Sequence, residues 1–139
     1  MLLVLLVLPV GAGRAVSASP QAPSPASPVT FTEEQAARGE QLFVRVCVEC
    51  HGRKEMTNAD VRLKWNGRSA FDLFDRIRIS MPESDPGSLP RGQYLDVTAF
   101  LAKLNGLPAG SVDLPDDEAA LRKQLLTLPP LTSHAIPRT

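Results

Sequence analysis

An all-α fold is predicted by three observations on the 139-residue chain. Apolar side chains recur at helical spacing in three separate segments, around Leu42, Phe74 and Leu101. Each segment is opened by a capping residue or closed by a glycine or proline that stops a helix. No segment alternates apolar and polar residues as a half-buried strand would. The chain has 15 basic and 15 acidic residues, so it carries no strong field to hold nucleic acid or an anionic membrane. Its length allows one small domain with flanking segments.

The elements follow in order. Residues 1–18 read as a secretory signal peptide: an apolar run, Leu2 to Pro9, then small residues, with a cleavage site after Ala18. That run is shorter than the ~20 residues a bilayer span needs, so no span is expected in the mature form. Residues 19–30 form a Pro/Ala/Ser-rich linker that buries no core. A domain is expected over residues 31–114. Its first helix runs from Glu33 to about Val46, with Thr32 as N-cap and Gln35 as capping-box partner. Leu42, Phe43 and Val46 point inward. Gly39 inside this helix costs about 1 kcal/mol against Ala, which close approach of a second helix explains. A polar, irregular stretch is expected from His51 to about Trp65. Ser69 caps a second helix over 70–80, whose apolar face continues to Met81. Pro82, Pro86-Gly87 and Pro90 force a loop. A third helix spans about 91–105 with the stripe Tyr94-Val97-Leu101-Leu104, ended by Gly106 and Pro108. Residues 115–139 are read as a C-terminal extension: a short helix opened by Pro115-Asp116-Asp117-Glu118, then a flexible Pro-rich tail.

Cys47-Val48-Glu49-Cys50-His51 carries the chemistry, and Cys47 and Cys50 are the two cysteines of the chain. Thiols at this spacing can each form a thioether to one vinyl group of a single haem. A histidine directly after the second cysteine can then ligate the iron. Two other readings compete. A redox-active dithiol leaves His51 incidental and wants a βαβ pattern nearby. A zinc site needs a second Cys or His pair, which the chain lacks. One haem c, covalently attached through Cys47 and Cys50, is therefore the expected cofactor. It would also add apolar volume to a core that has only five Phe, one Trp and one Tyr. Haem attachment after export agrees with the leader, and a periplasmic location is expected.

A helix carrying Gly39 and Phe43, then C-x-x-C-H, then a methionine in a proline-bounded loop, then an amphipathic helix, resembles the class I monohaem cytochromes c. The resemblance covers Phe31 to about Leu114. Trp65-Asn66-Gly67-Arg68, Met81-Pro82, Pro86-Gly87-Ser88-Leu89, Tyr94-Leu95-Asp96-Val97 and Asn105 to Gly110 look like small periplasmic cytochromes that partner quinoprotein-type dehydrogenases. The resemblance implies a cytochrome c-like helical domain wrapped around one covalent haem with one edge exposed, and first and third helices crossing near Gly39 and Phe100. One departure stands out. Many relatives orient the proximal histidine with the carbonyl of a proline after the motif, and no proline lies between His51 and Met81 here.

Three side chains are candidates for the sixth iron ligand: Met56, Met81 and His134. Met56 follows His51 within a reach of about 17–18 Å at full extension and would have to round the haem edge at once. His134 sits in the tail. Met81 ends a helix at a proline break and matches the family's ligand position. Arg68 is the expected partner of the haem propionates, with the Trp65 indole N–H nearby; a solvated charge and an ordinary core residue are the alternatives. Tyr94 would bond a propionate or cap the third helix, and Phe43, Phe74 and Leu101 would pack on the haem. Between Arg53 and Arg78, basic residues outnumber acidic ones, a weakly positive rim that could steer an acidic partner.

The function expected is one-electron transfer with His51/Met81 axial ligation and no bond chemistry on a substrate, hence not an enzyme. Expected partners are redox proteins: a periplasmic dehydrogenase as donor, an oxidase or another cytochrome as acceptor. A monomer is expected. The alternative is a haem enzyme or gas-binding sensor with an open distal site, for which no distal acid–base histidine is placed.

Overall fold

Helix α1 (Glu33–Leu42) opens at Thr32, whose hydroxyl accepts the Gln35 amide N–H at 3.0 Å. The computed structural model describes residues 26–130, so the leader, residues 19–25 of the linker, and His134 lie outside the described residues. The reciprocal half of the expected capping box is replaced. The buried Gln35 side chain instead accepts the Leu114 N–H at 2.7 Å, tying α1 to the segment beyond the third expected helix.

After one five-residue π-helical turn (Phe43–Cys47) and a 3-10 turn (Glu55–Thr57) comes helix α2 (Ala59–Trp65). The stretch from His51 to Trp65 was expected to be irregular. It is half helical because Asn58 caps α2, accepting the Val61 N–H at 2.8 Å. The sequence hides α2 because it is short and none of its residues is buried, so no apolar stripe marks it. Helix α3 (Ala70–Ser80) and helix α4 (Arg91–Leu104) fall where the sequence places them. Ser69 and Asp72 form a full capping box at the start of α3. Gly106, at φ +90, follows the end of α4.

The core gathers around Phe31, Phe74 and Tyr94, with α1 and α4 packed most closely. They cross where Gly39 faces the α4 backbone. A Cβ on Gly39 would stand 1.9 Å from the Asp96 carbonyl oxygen and 2.9 Å from the Phe100 Cβ. The expected crossing near Gly39 and Phe100 is thus observed, with Phe43 and Phe100 rings 5.2 Å apart beside it. Arg38 locks the edge, donating to both Asp96 carboxylate oxygens at 3.0 and 3.1 Å and to Asp113 at 3.3 Å. The hydrogen bond to Asp96 raises the Arg38 pKa further above its ordinary value.

Both ends of the described chain are built into this core. Helix α5 (Glu118–Lys123), capped by Asp117, leads into strand β2 (Gln124–Leu125), which pairs in parallel with strand β1 (Ser27–Pro28). Val29 is buried, although a linker was expected to bury nothing; its N–H donates to the Leu125 carbonyl. Leu121 and Leu126 are at most 1% exposed. The Leu126 N–H donates to the Arg68 carbonyl and its carbonyl accepts the Gly67 N–H, both at 2.8 Å. Residues 124–128 therefore form a strap across the loop between α2 and α3.

Gly39→Ala is expected to cost at least about 3 kcal/mol, the upper range for overpacking, because a backbone carbonyl cannot rotate away as a side chain can. Gly92→Ala, in the first turn of α4 with nothing within 4 Å, should be neutral or stabilise by up to about 1 kcal/mol. Denaturant unfolding of the two variants measures the contrast.

Candidate functional site

The π-helical turn brings the cysteine–histidine motif to the cavity. It widens the end of α1, with the Val48 N–H reaching the Phe43 carbonyl at 2.9 Å. The next turn is tight: the Cys50 and His51 amides both donate to the Cys47 carbonyl, at 3.2 and 2.9 Å. One coiled turn thus places Cys47, Cys50 and His51 on the wall of one cavity of about 900 Å³. That volume lies at the upper end of cofactor pockets, about 300–1,000 Å³. Both cysteines are free; Cys50 is exposed, and partial burial pushes the Cys47 thiol pKa up. Among the described residues no group of three or more His, Cys, Asp or Glu is placed to hold a metal ion, so zinc finds no further ligands.

The cavity wall is largely apolar, with Phe43, Val46, Ile77, Val97 and Leu101 among its residues. His51 and Met81 both line it. The His51 Nδ1 is buried without a hydrogen-bond partner, and the Glu55 carboxylate stands 3.7 Å away. A large apolar cavity bearing two free thiols and an imidazole is a donor set that fits a covalently attached haem.

Met81 sits at the C-terminal end of α3, its N–H donating to the Ile77 carbonyl at 2.8 Å. Its own carbonyl accepts the Tyr94 hydroxyl at 2.8 Å. The same hydroxyl accepts the Leu89 N–H at 3.3 Å. Tyr94 is therefore neither a propionate donor nor a helix cap. It is a buried clamp from α4 that holds both ends of the methionine loop. Met56 also lines the cavity, half-buried, and its carbonyl accepts the Asn105 side-chain N–H at 3.0 Å.

The remaining expected residues divide. Trp65 lines the cavity and packs against the core, and Phe74 is core without lining it. Arg68 is not among the cavity-lining residues. Its exposed side chain pairs with Asp72 at 3.9 Å and stacks over Trp65 at 5.8 Å. Arg68 lies in the loop between α2 and α3, whereas the lining cations are Lys64 on α2 and Arg76 on α3. Neither has an acidic partner among the described residues. The positive rim is smaller than composition implied. Arg53 pairs with Glu40, Arg78 with Asp75, and Arg62 donates to the Asn105 and Pro129 carbonyls. Leu126 and Leu128 of the strap also line the cavity; their apolar spacing within the Pro-rich tail was the signal for it.

The architecture is that of a small all-α, cytochrome c-like domain. Residues 34–101 match the family model described as cytochrome C oxidase, cbb3-type, subunit III, and this supports a monohaem cytochrome c. Among curated proteins, the chain is 54% identical over 46 residues to photosystem II extrinsic protein V of Synechococcus sp. (strain JA-3-3Ab), covering 32% of this chain and 26% of that protein. It is 46% identical over 57 residues to the protein of the same name from Synechococcus sp. (strain JA-2-3B'a(2-13)), covering 40% of this chain and 31% of the relative. The match thus spans less than a third of either relative's length. No solved structure matches.

Tyr94→Phe should destabilise the fold by about 1–2 kcal/mol, the cost of a buried hydrogen bond lost. It should also speed amide exchange at Leu89, whose N–H loses its acceptor; hydrogen exchange read by NMR checks both ends of the loop.

Proposed function

We propose that this chain is an exported one-electron carrier in which a single haem c is attached through Cys47 and Cys50 and ligated by His51 and Met81. The observation that carries the reading is the convergence of both cysteines, His51 and Met81 on one large, mainly apolar cavity. When bound, the haem supplies an iron that takes one electron from a donor protein and passes one to an acceptor protein. The chain's own residues do the rest. His51 and Met81 would both ligate the iron, so its coordination would change little between oxidation states and reorganisation would stay small. Thioether ligation favours the ferrous form and raises the potential. Tyr94 keeps Met81 in place by its backbone. Phe43, Ile77 and Leu101 exclude water, and Lys64 and Arg76 offset propionate charge in place of Arg68.

Export and a periplasmic-type compartment are supported by the leader pattern of residues 1–18; no helix among the described residues is long and apolar enough to cross a membrane. Partners are redox proteins. A dehydrogenase partner is implied by the resemblance of short strings from Trp65 to Gly110 alone, whereas the curated relatives are named as photosystem II extrinsic proteins. The shared stretch is confined to part of this chain and to less than a third of either relative, so it does not identify the partner.

Optical spectra of the protein matured with haem c test the reading. A low-spin ferric spectrum with a weak sulfur-to-iron charge-transfer band in the red, and a ferrous spectrum unmoved by CO, are expected. Met81→Ala should abolish the band, admit CO and lower the potential, while Met56→Ala should leave all three in place. A high-spin spectrum or ready CO binding in the unaltered protein would instead establish an open distal site and an enzyme or sensor.

A further inference from the structure

We propose that Glu55 is the positioning residue of the proximal histidine, its carboxylate accepting the His51 Nδ1–H; this rests on His51 being the iron ligand. An imidazole bound to iron through Nε2 must carry its proton on Nδ1, and that proton needs an acceptor. Here the Nδ1 atom is buried and makes no hydrogen bond, so a proton held there lacks an acceptor. The one carboxylate within 4.0 Å of His51 among the described residues is that of Glu55, at 3.7 Å and one helical turn on.

Glu55 is free to take this role. Its side chain is 53% exposed, so its carboxylate can turn without displacing packed neighbours. Among the described residues it pairs with no other cation, since neighbouring Arg53 is committed to Glu40 at 2.7 Å. Its backbone is fixed by the Glu55 N–H donating to the Gly52 carbonyl at 3.0 Å, at the start of the 3-10 turn Glu55–Thr57. Closing from 3.7 Å to a charge-assisted hydrogen bond of about 2.8 Å needs less than about 1 Å of movement, within the reach of side-chain torsions alone.

The consequence is electronic. A carboxylate accepts more strongly than a neutral carbonyl and draws the Nδ1 proton away from the ring. The imidazole becomes a better donor to iron, which favours the ferric state. Glu55 would thus lower the potential that Met81 raises.

Redox titration of the holoprotein tests this with Glu55→Gln, Glu55→Ala and, as a control, Glu49→Gln, which removes a cavity-lining carboxylate with no recorded contact to His51. Both Glu55 variants should raise the potential, Ala more than Gln, and both by more than Glu49→Gln. The His51 ring N–H proton of the ferrous protein, read by NMR, should be far downfield and slow to exchange. It should move upfield in Glu55→Gln and exchange fastest in Glu55→Ala. Potential shifts no larger than the control's, or an unmoved ring proton, would overturn the proposal. A wild-type chain carrying no covalent haem would overturn the function proposed above, and this inference with it, before any Glu55 variant was compared.

Discussion

The contact of Gly39 with the α4 backbone is the constraint from which the site is built. It lets α1 lie against α4 closely enough that a Cβ would stand 1.9 Å from the Asp96 carbonyl oxygen. The cysteine–histidine turn hangs from the C-terminal end of α1, so its place follows from that crossing. The methionine loop is tied to α4 through Tyr94, whose hydroxyl donates to the Met81 carbonyl. Asn105, at the end of α4, holds the Met56 carbonyl. Both axial candidates and the thiols are thus positioned against α4. A cofactor-binding cavity can be kept open with few aromatic residues because its walls share one rigid reference.

The strap closes the other side. Leu126 and Leu128 reach the cavity because residues 124–128 are pinned by backbone hydrogen bonds to the α2–α3 loop and by the Leu128 N–H donating to the Asn66 side chain at 2.9 Å. The same loop carries Arg68 and follows Trp65, the last residue of α2, which ties the loop to the strap. Lys64 of α2 and Arg76 of α3 line the cavity while Arg68, in the loop between those helices, does not.

Much of this was legible in the sequence, for identifiable reasons. The cysteine–histidine motif, Met81 and Gly39 are signals of local spacing or of a residue type whose cost demands an explanation. Helices α3 and α4 were readable because an apolar stripe coincides with Ser69 at one start and Gly106 at one end. Helix α2 was not, because it is short, has no fully buried residue and depends on one Asn58 cap. The role of Tyr94 was not, because its partners come from the far end of a proline-rich loop. Residues 27–29 and 124–128 were hidden by composition: proline-rich flanks read as linker and tail, yet Val29 and Leu126 belong to the core. Arg68 was chosen by proximity in sequence to Trp65, which cannot decide the direction in which a side chain leaves the loop.

The proposed electron-transfer function requires the two thiols and His51 to hold one covalent haem in the cavity. Intact-mass measurement of the chain, purified after export with haem c maturation and then denatured, tests this most directly. The account predicts the chain's mass plus that of one haem, with no cysteine left to alkylate. The bare chain mass with both thiols open to alkylation would contradict it.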